Sequence, residues 1–225
     1  IDVVEWALGL GARVIYASSA ATYGGGEQGY GDDPARIERL RPLNLYAHSK
    51  QDFDLWAKKY GLLRRMLGFK FFNVFGPNEW HKGGMRSLVY KAYAQARDQG
   101  VVTLFKSERS GIRDGEQTRD FIYVKDVVEV LIHGLRHADW NGLYNLGTGK
   151  ARNWNDLATA VFKAMGQKPS IAYIPLPAAL RGKYQYHTQA DMRRLFRDAK
   201  RFKFTPLEKA VEETVRHHII PGRPW

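Results

Sequence analysis

Tyr46 and Lys50 stand four residues apart in Tyr46-Ala-His-Ser-Lys50. On a helix such a pair shares one face, with Cβ atoms about 6 Å apart. A phenol is a poor base near neutrality, because its unperturbed pKa is about 10. An ammonium held beside it favours the phenolate, and the pair can then pass a proton to and from a substrate hydroxyl. An enzyme that oxidises an alcohol by hydride loss needs that chemistry. The same spacing arises by chance on many exposed helices, so the pair gains meaning only in company. Ser19 supplies some, ending an apolar run 27 residues before Tyr46. In an open α/β sheet, strand carboxyl ends and the helices that follow them face a common crevice. A serine hydroxyl there can donate to the oxygen that Tyr46 deprotonates; alone, it can equally cap a turn.

The elements that must hold these residues follow from the hydrophobic pattern. Residues 13–19 read as a buried parallel strand, 20–26 as a glycine-rich turn and 28–42 as a polar loop. Asn44 or a neighbour can cap a helix that carries Tyr46 and Lys50 and runs to about Lys59, with Phe53, Leu55 and Trp56 inward. A second strand spans 68–75 and stops at Gly76-Pro77, and a helix covers 85–99. Strands at 101–105, 119–123, 142–147 and 170–174 alternate with helices at 127–137, 154–165, 190–196 and 207–219, and Asp126 is placed to cap the first of these. An amphipathic helix occupies the first eleven residues. Strands alternating with helices predict an α/β fold with a largely parallel sheet.

Composition narrows the function classes. The chain has 225 residues, 44% of them hydrophobic, enough for a substantial core of one or two domains. No apolar run approaches the roughly 18 residues of a membrane span, and no basic segment leads into a cleavage site as in a signal peptide. Cysteine is absent, which excludes disulfides, thiol nucleophiles and thiolate metal sites and favours the cytoplasm. The seven histidines show no metal-ligand spacing, so no metal is expected. A net charge of +12 points to anionic ligands. The cations are scattered, at 58–59, 64–65, 193–194 and 200–201, and form no zinc finger or basic helix leading into heptads, which argues against nucleic acid.

Five blocks together carry a resemblance: Tyr-Ala-Ser-Ser-Ala-Ala-Thr-Tyr-Gly (16–24), Pro-Leu-Asn-Leu-Tyr-Ala-His-Ser-Lys (42–50), Phe-Phe-Asn-Val-Phe-Gly-Pro-Asn-Glu (71–79), Arg-Asp-Phe-Ile-Tyr-Val-Lys-Asp-Val (119–127) and Tyr-Asn-Leu-Gly-Thr-Gly (144–149). In order and separation they resemble the extended short-chain dehydrogenase/reductases, the nucleotide-sugar epimerases and dehydratases. His81-Lys82-Gly83, Leu180–Tyr184 and His187–Asp191 resemble the branch that epimerises an ADP-linked heptose at C6, a step toward the lipopolysaccharide core.

The resemblance implies an incomplete Rossmann-like, doubly wound parallel sheet with a smaller carboxyl-terminal α/β portion for substrate. Residues 1–80, helped by segments near 119–150, would form the dinucleotide side, and 81–225 mainly the nucleotide-sugar side. It implies NADP, with NAD as the other form, as the hydride carrier, and an ADP-heptose as substrate. Tyr46 would be the first acid/base group, Lys82 the second on the opposite face, and Ser19 the hydroxyl at the reacting oxygen. Lys50, Tyr46 and Val74 would meet the cofactor. Asn73, Lys82, Lys91, Phe105, Arg119 and Tyr184 would meet the substrate, Arg119 through the diphosphate, since a guanidinium matches phosphate oxygens bidentately. Read without the resemblance, Lys82 is an exposed loop lysine and Asn73 belongs to the turn before Gly76-Pro77. Arg119 then pairs with Asp120 or Glu116, and Phe105 and Tyr184 are core aromatics. A non-catalytic nucleotide-sugar-binding fragment, or another epimerase or dehydratase of the same family, is the rival reading.

Two substrate-side positions depart from that branch: Gly84 stands where a serine is usual and Lys91 where a histidine is usual. No G-x-x-G-x-x-G precedes the first strand, so the pyrophosphate-binding turn and about ninety residues of the fold's first half are expected upstream or in another chain. The family resemblance also implies a homo-oligomer at full length.

Overall fold

The computed structural model describes all 225 residues as alternating strands and helices. Helix α1 (Asp2–Gly9) leads to strand β1 (Val14–Ser19), and helix α2 (Leu45–Lys59) follows a loop that includes short 3-10 turns. Strands β2 (Met66–Phe71) and β3 (Asn73–Phe75) are next, then a 3-10 segment at Trp80–Met85 and helix α3 (Leu88–Gln99). Strands β4 (Val102–Phe105) and β5 (Thr118–Tyr123) precede helix α4 (Val124–Arg136). Strands β6 (Gly142–Leu146) and β7 (Ala151–Asn153) lead to helix α5 (Trp154–Ala164) and strand β8 (Ile171–Ile174). Helix α6 (Arg193–Asp198) and helix α7 (Leu207–Glu213), prolonged by a wider π turn over Thr214–Ile219, complete the chain.

Three small sheets result, in the orders β1-β2-β6, β3-β5-β7 and β4-β8. Every pairing is parallel except β5 with β7. The stretch expected as one strand over 68–75 is two. Phe72 separates them and turns its N–H to Leu146 O at 3.1 Å, so β2 stays beside β1 and β6 while β3 joins β5. β1 differs from the buried strand the sequence suggests. It pairs on one side only, and just its last two residues, Ser18 and Ser19, are buried.

Two large apolar cores lie beneath the sheets, and a small third one packs Leu8, Ala57 and Met66 between α1, α2 and β2. One large core gathers Phe75, Val89, Leu104, Phe121, Leu157 and Val211 between α3, α5, α7 and the strands that meet them. The other packs Leu67, Phe69, Ile122, Val130, Leu146 and Leu195 under β2, β6, α4 and α6. Local chemistry sets the boundaries. Asn44 caps α2 as expected, accepting from Ala47 N at 2.9 Å. Asn153 and Asp156 form a reciprocal capping box at the start of α5. Asp126 is not a cap. Helix α4 begins two residues earlier, and the Asp126 carboxylate accepts instead from Thr205 N at 2.7 Å and Thr205 Oγ1 at 2.8 Å.

Candidate active site

Tyr46 and Lys50 share the exposed face at the start of α2, with Lys50 Nζ 5.8 Å from the Tyr46 ring centroid. Lys50 Nζ also donates to Ala17 O at 2.9 Å, which fastens the helix to the carboxyl end of β1. One of the ammonium's three donors is thus engaged, leaving others for hydroxyls of a nucleotide ribose. Tyr46 is 56% exposed. Ser19, next to Ser18 at that strand end, accepts from Ala21 N at 3.1 Å and so starts the following 3-10 turn. The turn-capping role is therefore present in Ser19, and its hydroxyl still sits at the end of β1 beside Ala17.

Beneath this face lies a group that the sequence reading missed. Asp54, one turn after Lys50, and Lys70 on β2 form an ion pair at 2.6 Å, with side chains 0% and 1% exposed. Ser18 Oγ donates to Asp54 at 2.6 Å and Tyr16 Oη at 3.2 Å, while Lys70 Nζ also donates to Thr22 Oγ1 at 2.7 Å. Burial pushes the Lys70 ammonium down, and Asp54 pulls it back up. Burial first, then Asp54, raises the Tyr16 phenol. The cluster ties α2, β1, β2 and the turn after Ser19 into one unit. A lysine inside the apolar run Gly-Phe-Lys-Phe-Phe (68–72) was the available signal, since an unpaired charge does not persist in such a place.

A cavity of about 640 Å³ opens between β3, β4, α3 and α5. It is lined by Asn73, Val74, Lys82, Lys91, Phe105 and Tyr184, all expected from sequence, and by Glu79, Arg86 and Ser87, which were not. Tyr46, Lys50 and Ser19 are not among its walls. Arg119 lies behind one wall, 6% exposed, with its guanidinium 5.1 Å from the Tyr184 ring centroid and 5.4 Å from that of Trp154. Neither expected acidic partner pairs with it: Glu116 pairs with Arg113, and the Asp120 carboxylate accepts from Thr148, Gly149 and Ala190. Arg119 donates instead to the carbonyls of Thr118 and Gln185. Burial lowers the Arg119 pKa and raises that of Tyr184, whose oxygen accepts from Trp154 Nε1 at 3.0 Å. Phe105 meets Tyr184 edge-on at 6.3 Å, so both aromatics belong to packing and to the cavity wall at once.

The loop over Gly76–Ser87 carries Lys82 and begins at a glycine whose φ is +151°, where an added Cβ would meet Val124 Cγ1 at 2.4 Å. Helix α3 was expected from Met85. It begins at Leu88 because Ser87 N donates to the Glu79 carboxylate at 2.7 Å. Lys82 is 45% exposed, with Nζ 3.9 Å from Glu79 Oε2. Arg86 Nε and Ser87 Oγ are buried without a partner in the protein. Such orphaned groups on a cavity wall suit a polar ligand, which would complete them. The cavity thus offers cations, unsatisfied donors and aromatic walls, and its one lining carboxylate, Glu79, is already engaged.

A profile of the NAD dependent epimerase/dehydratase family matches residues 1–147. The ADP-L-glycero-D-manno-heptose-6-epimerase of Nitratidesulfovibrio vulgaris (strain DP4) is 53% identical over 221 residues, 98% of this chain and 68% of its own length. That of Fusobacterium nucleatum is 44% identical over 216 residues, 92% of this chain and 65% of its own. Among solved structures, the Helicobacter pylori ADP-L-glycero-D-manno-heptose-6-epimerase superposes with a TM-score of 0.80 at 28% identity, over 96% of this chain and 62% of that one. The chain thus spans about two thirds of the length of these relatives.

Proposed function

This chain belongs to the NAD dependent epimerase/dehydratase family, and from that premise we propose that it carries the acid/base and substrate groups of an ADP-heptose 6-epimerase. The reaction is inversion at C6 of ADP-D-glycero-D-manno-heptose by oxidation to a ketone and reduction on the opposite face. When bound, NADP supplies the hydride acceptance and return; Lys50, Tyr46 and Val74 would hold it. Tyr46 takes the proton of the C6 hydroxyl, helped by the Lys50 ammonium, and Ser19 donates a hydrogen bond to the same oxygen. Lys82 exchanges a proton with that oxygen when the opposite face is presented. Two groups are needed because one fixed side chain does not reach both faces. Asn73, Lys91, Phe105, Arg119 and Tyr184 orient the nucleotide sugar, with Arg119 directed to the diphosphate.

The observation that carries this reading is the cavity itself. One space is walled by Asn73, Lys82, Lys91, Phe105 and Tyr184, with the Arg119 stack behind it. No helix is long and apolar enough to cross a membrane; the cysteine-free sequence is the ground on which we place the reaction in the cytoplasm. The test is turnover of ADP-D-glycero-D-manno-heptose by this chain joined to an amino-terminal dinucleotide-binding half, with the C6 epimers resolved by NMR. The expected result is epimerisation, with Tyr46→Phe and Lys82→Ala each lowering turnover by about 100-fold or more. Full turnover in either variant overturns the assignment.

A further inference from the structure

Two donors on the cavity wall have no partner in the protein, and they are neighbours in the chain. Arg86 Nε and Ser87 Oγ are both buried, and neither meets an acceptor. The Arg86 guanidinium makes a single hydrogen bond, from Nη2 to Trp80 O. No carboxylate pairs with it. Glu79, the one acid lining the cavity, is held by Gly76 N at 3.2 Å and Ser87 N at 2.7 Å, with Lys82 Nζ at 3.9 Å. Arg119, by contrast, lies behind the wall and gives both terminal nitrogens to the carbonyls of Thr118 and Gln185. A half-buried guanidinium without a counter-ion is costly, so the place beside Arg86 favours an anion. Ser87 stands at the N-cap of α3, yet its side chain caps nothing. Its carbonyl accepts from Lys91 N at 3.3 Å, which puts Lys91 one turn along on the same side of the helix. The start of this twelve-residue helix adds its own partial positive charge.

We propose that Arg86 is a further substrate-binding residue, which with Ser87 and Lys91 receives phosphate oxygens of the nucleotide sugar inside the cavity. This deepens the reading of the cavity as the nucleotide-sugar site and rests on it. A diphosphate suits the set better than a neutral sugar does. The guanidinium and the ammonium bring two positive charges, and Arg86 Nε and Ser87 Oγ bring donors that still need acceptors. Phosphate oxygens accept from all of them, and charge-assisted bonds of this kind are the strong ones. Arg119 contributes from behind the wall through its stack with Tyr184, whereas Arg86 is the guanidinium on the cavity side.

The test needs neither cofactor nor turnover. Calorimetry on the 225-residue chain uses ADP, inorganic pyrophosphate and adenosine as probes. The parent is expected to bind both phosphate probes. Arg86→Met, which keeps the stem and removes the guanidinium, is expected to weaken both by about 10-fold or more and to leave adenosine unchanged. Arg86→Lys, with the charge but without the planar fork, is expected to fall between the two. Unchanged affinity for ADP and pyrophosphate in Arg86→Met overturns the proposal. An equal loss for adenosine also overturns it, since the effect would then not pass through phosphate. Should Arg86→Met fail to fold, the parent protein still decides it by NMR. The Arg86 Nε–H resonance, assigned as the one missing from Arg86→Lys, must shift on addition of pyrophosphate while that of the surface Arg113 does not. An unmoved Arg86 resonance overturns the proposal. Pyrophosphate binding that gains nothing from the adenosine part of ADP leaves the Arg86 assignment standing and removes the nucleotide-sugar reading. Binding of neither phosphate probe removes both, so the two failures are distinguishable.

Discussion

Lys70→Met is the sharpest perturbation of the scaffold under the Tyr46 face. Methionine nearly fills the space of the lysine stem but removes the ammonium, leaving Asp54 fully buried with only Ser18 and Tyr16 as donors. Removing one partner of a buried ion pair costs about 3–5 kcal/mol, because the remaining charge is left uncompensated. Thr22 Oγ1 loses its donor from Lys70 as well but keeps its own bond to Ser19 O at 2.8 Å, so it adds little. For a chain of this size the loss corresponds to a fall in melting temperature of roughly 6–20 °C. Urea denaturation followed by circular dichroism measures it, with the slope m checked for constancy. The double variant Asp54→Leu with Lys70→Met separates charge from packing. Two apolar side chains replace the pair, and most of the stability is expected to return. A single-variant cost under about 1 kcal/mol would refute the reasoning, because the pair would then not be desolvated as its burial implies. So would a double variant weaker than the sum of the two singles.

Arg119→Ala is expected to weaken ADP binding by about 10- to 100-fold in calorimetry, the value of a charge-assisted hydrogen bond, while Arg113→Ala leaves it unchanged. Asn153→Ala removes the acceptor of the capping box on α5 and is expected to cost about 1 kcal/mol in urea denaturation. His133 and His187 are each pushed below the ordinary histidine value, first by burial and then by neighbouring cations. The unfolded chain therefore takes up protons first, near pH 6.5, and the stability present above that pH is lost as pH falls toward the folded values. Melting temperatures between pH 7.5 and 5.5 are expected to fall, with a shallower slope in His187→Gln.

What could be read in advance divides along local and non-local lines. The helix carrying Tyr46 and Lys50, its Asn44 cap and the alternation of strands with helices rest on short-range pattern, and the structure has them. The break at Phe72, the start of α4 ahead of Asp126 and the late start of α3 depend on partners far along the chain or across a loop. These are Leu146, Thr205 and Glu79, and no window of sequence shows which of them will be near. The environment of Arg119 was settled by rings at 154 and 184, and the Asp120 beside it is engaged by 148, 149 and 190. Six of the residues on the cavity wall were named in advance through family resemblance, Glu79, Arg86 and Ser87 were not, and Asp54 with Lys70 was visible only as an unexplained charge in an apolar strand.

The crossing at Phe72 has a mechanical consequence. Lys70, anchored to α2, and Asn73, on the cavity wall, are three residues apart in almost continuous extended chain, with no flexible linker between the two sheets. A rigid joint of that kind transmits displacement instead of absorbing it. If the cavity closes on a ligand, the motion must be taken up at its far side, in the Gly76–Ser87 loop or the segment around Tyr184, while Asn73 keeps its place relative to Tyr46. Hydrogen exchange with and without ADP is expected to change most in those two segments and least across 66–75. The fixed side of the site would then serve as the ruler against which the moving side is set.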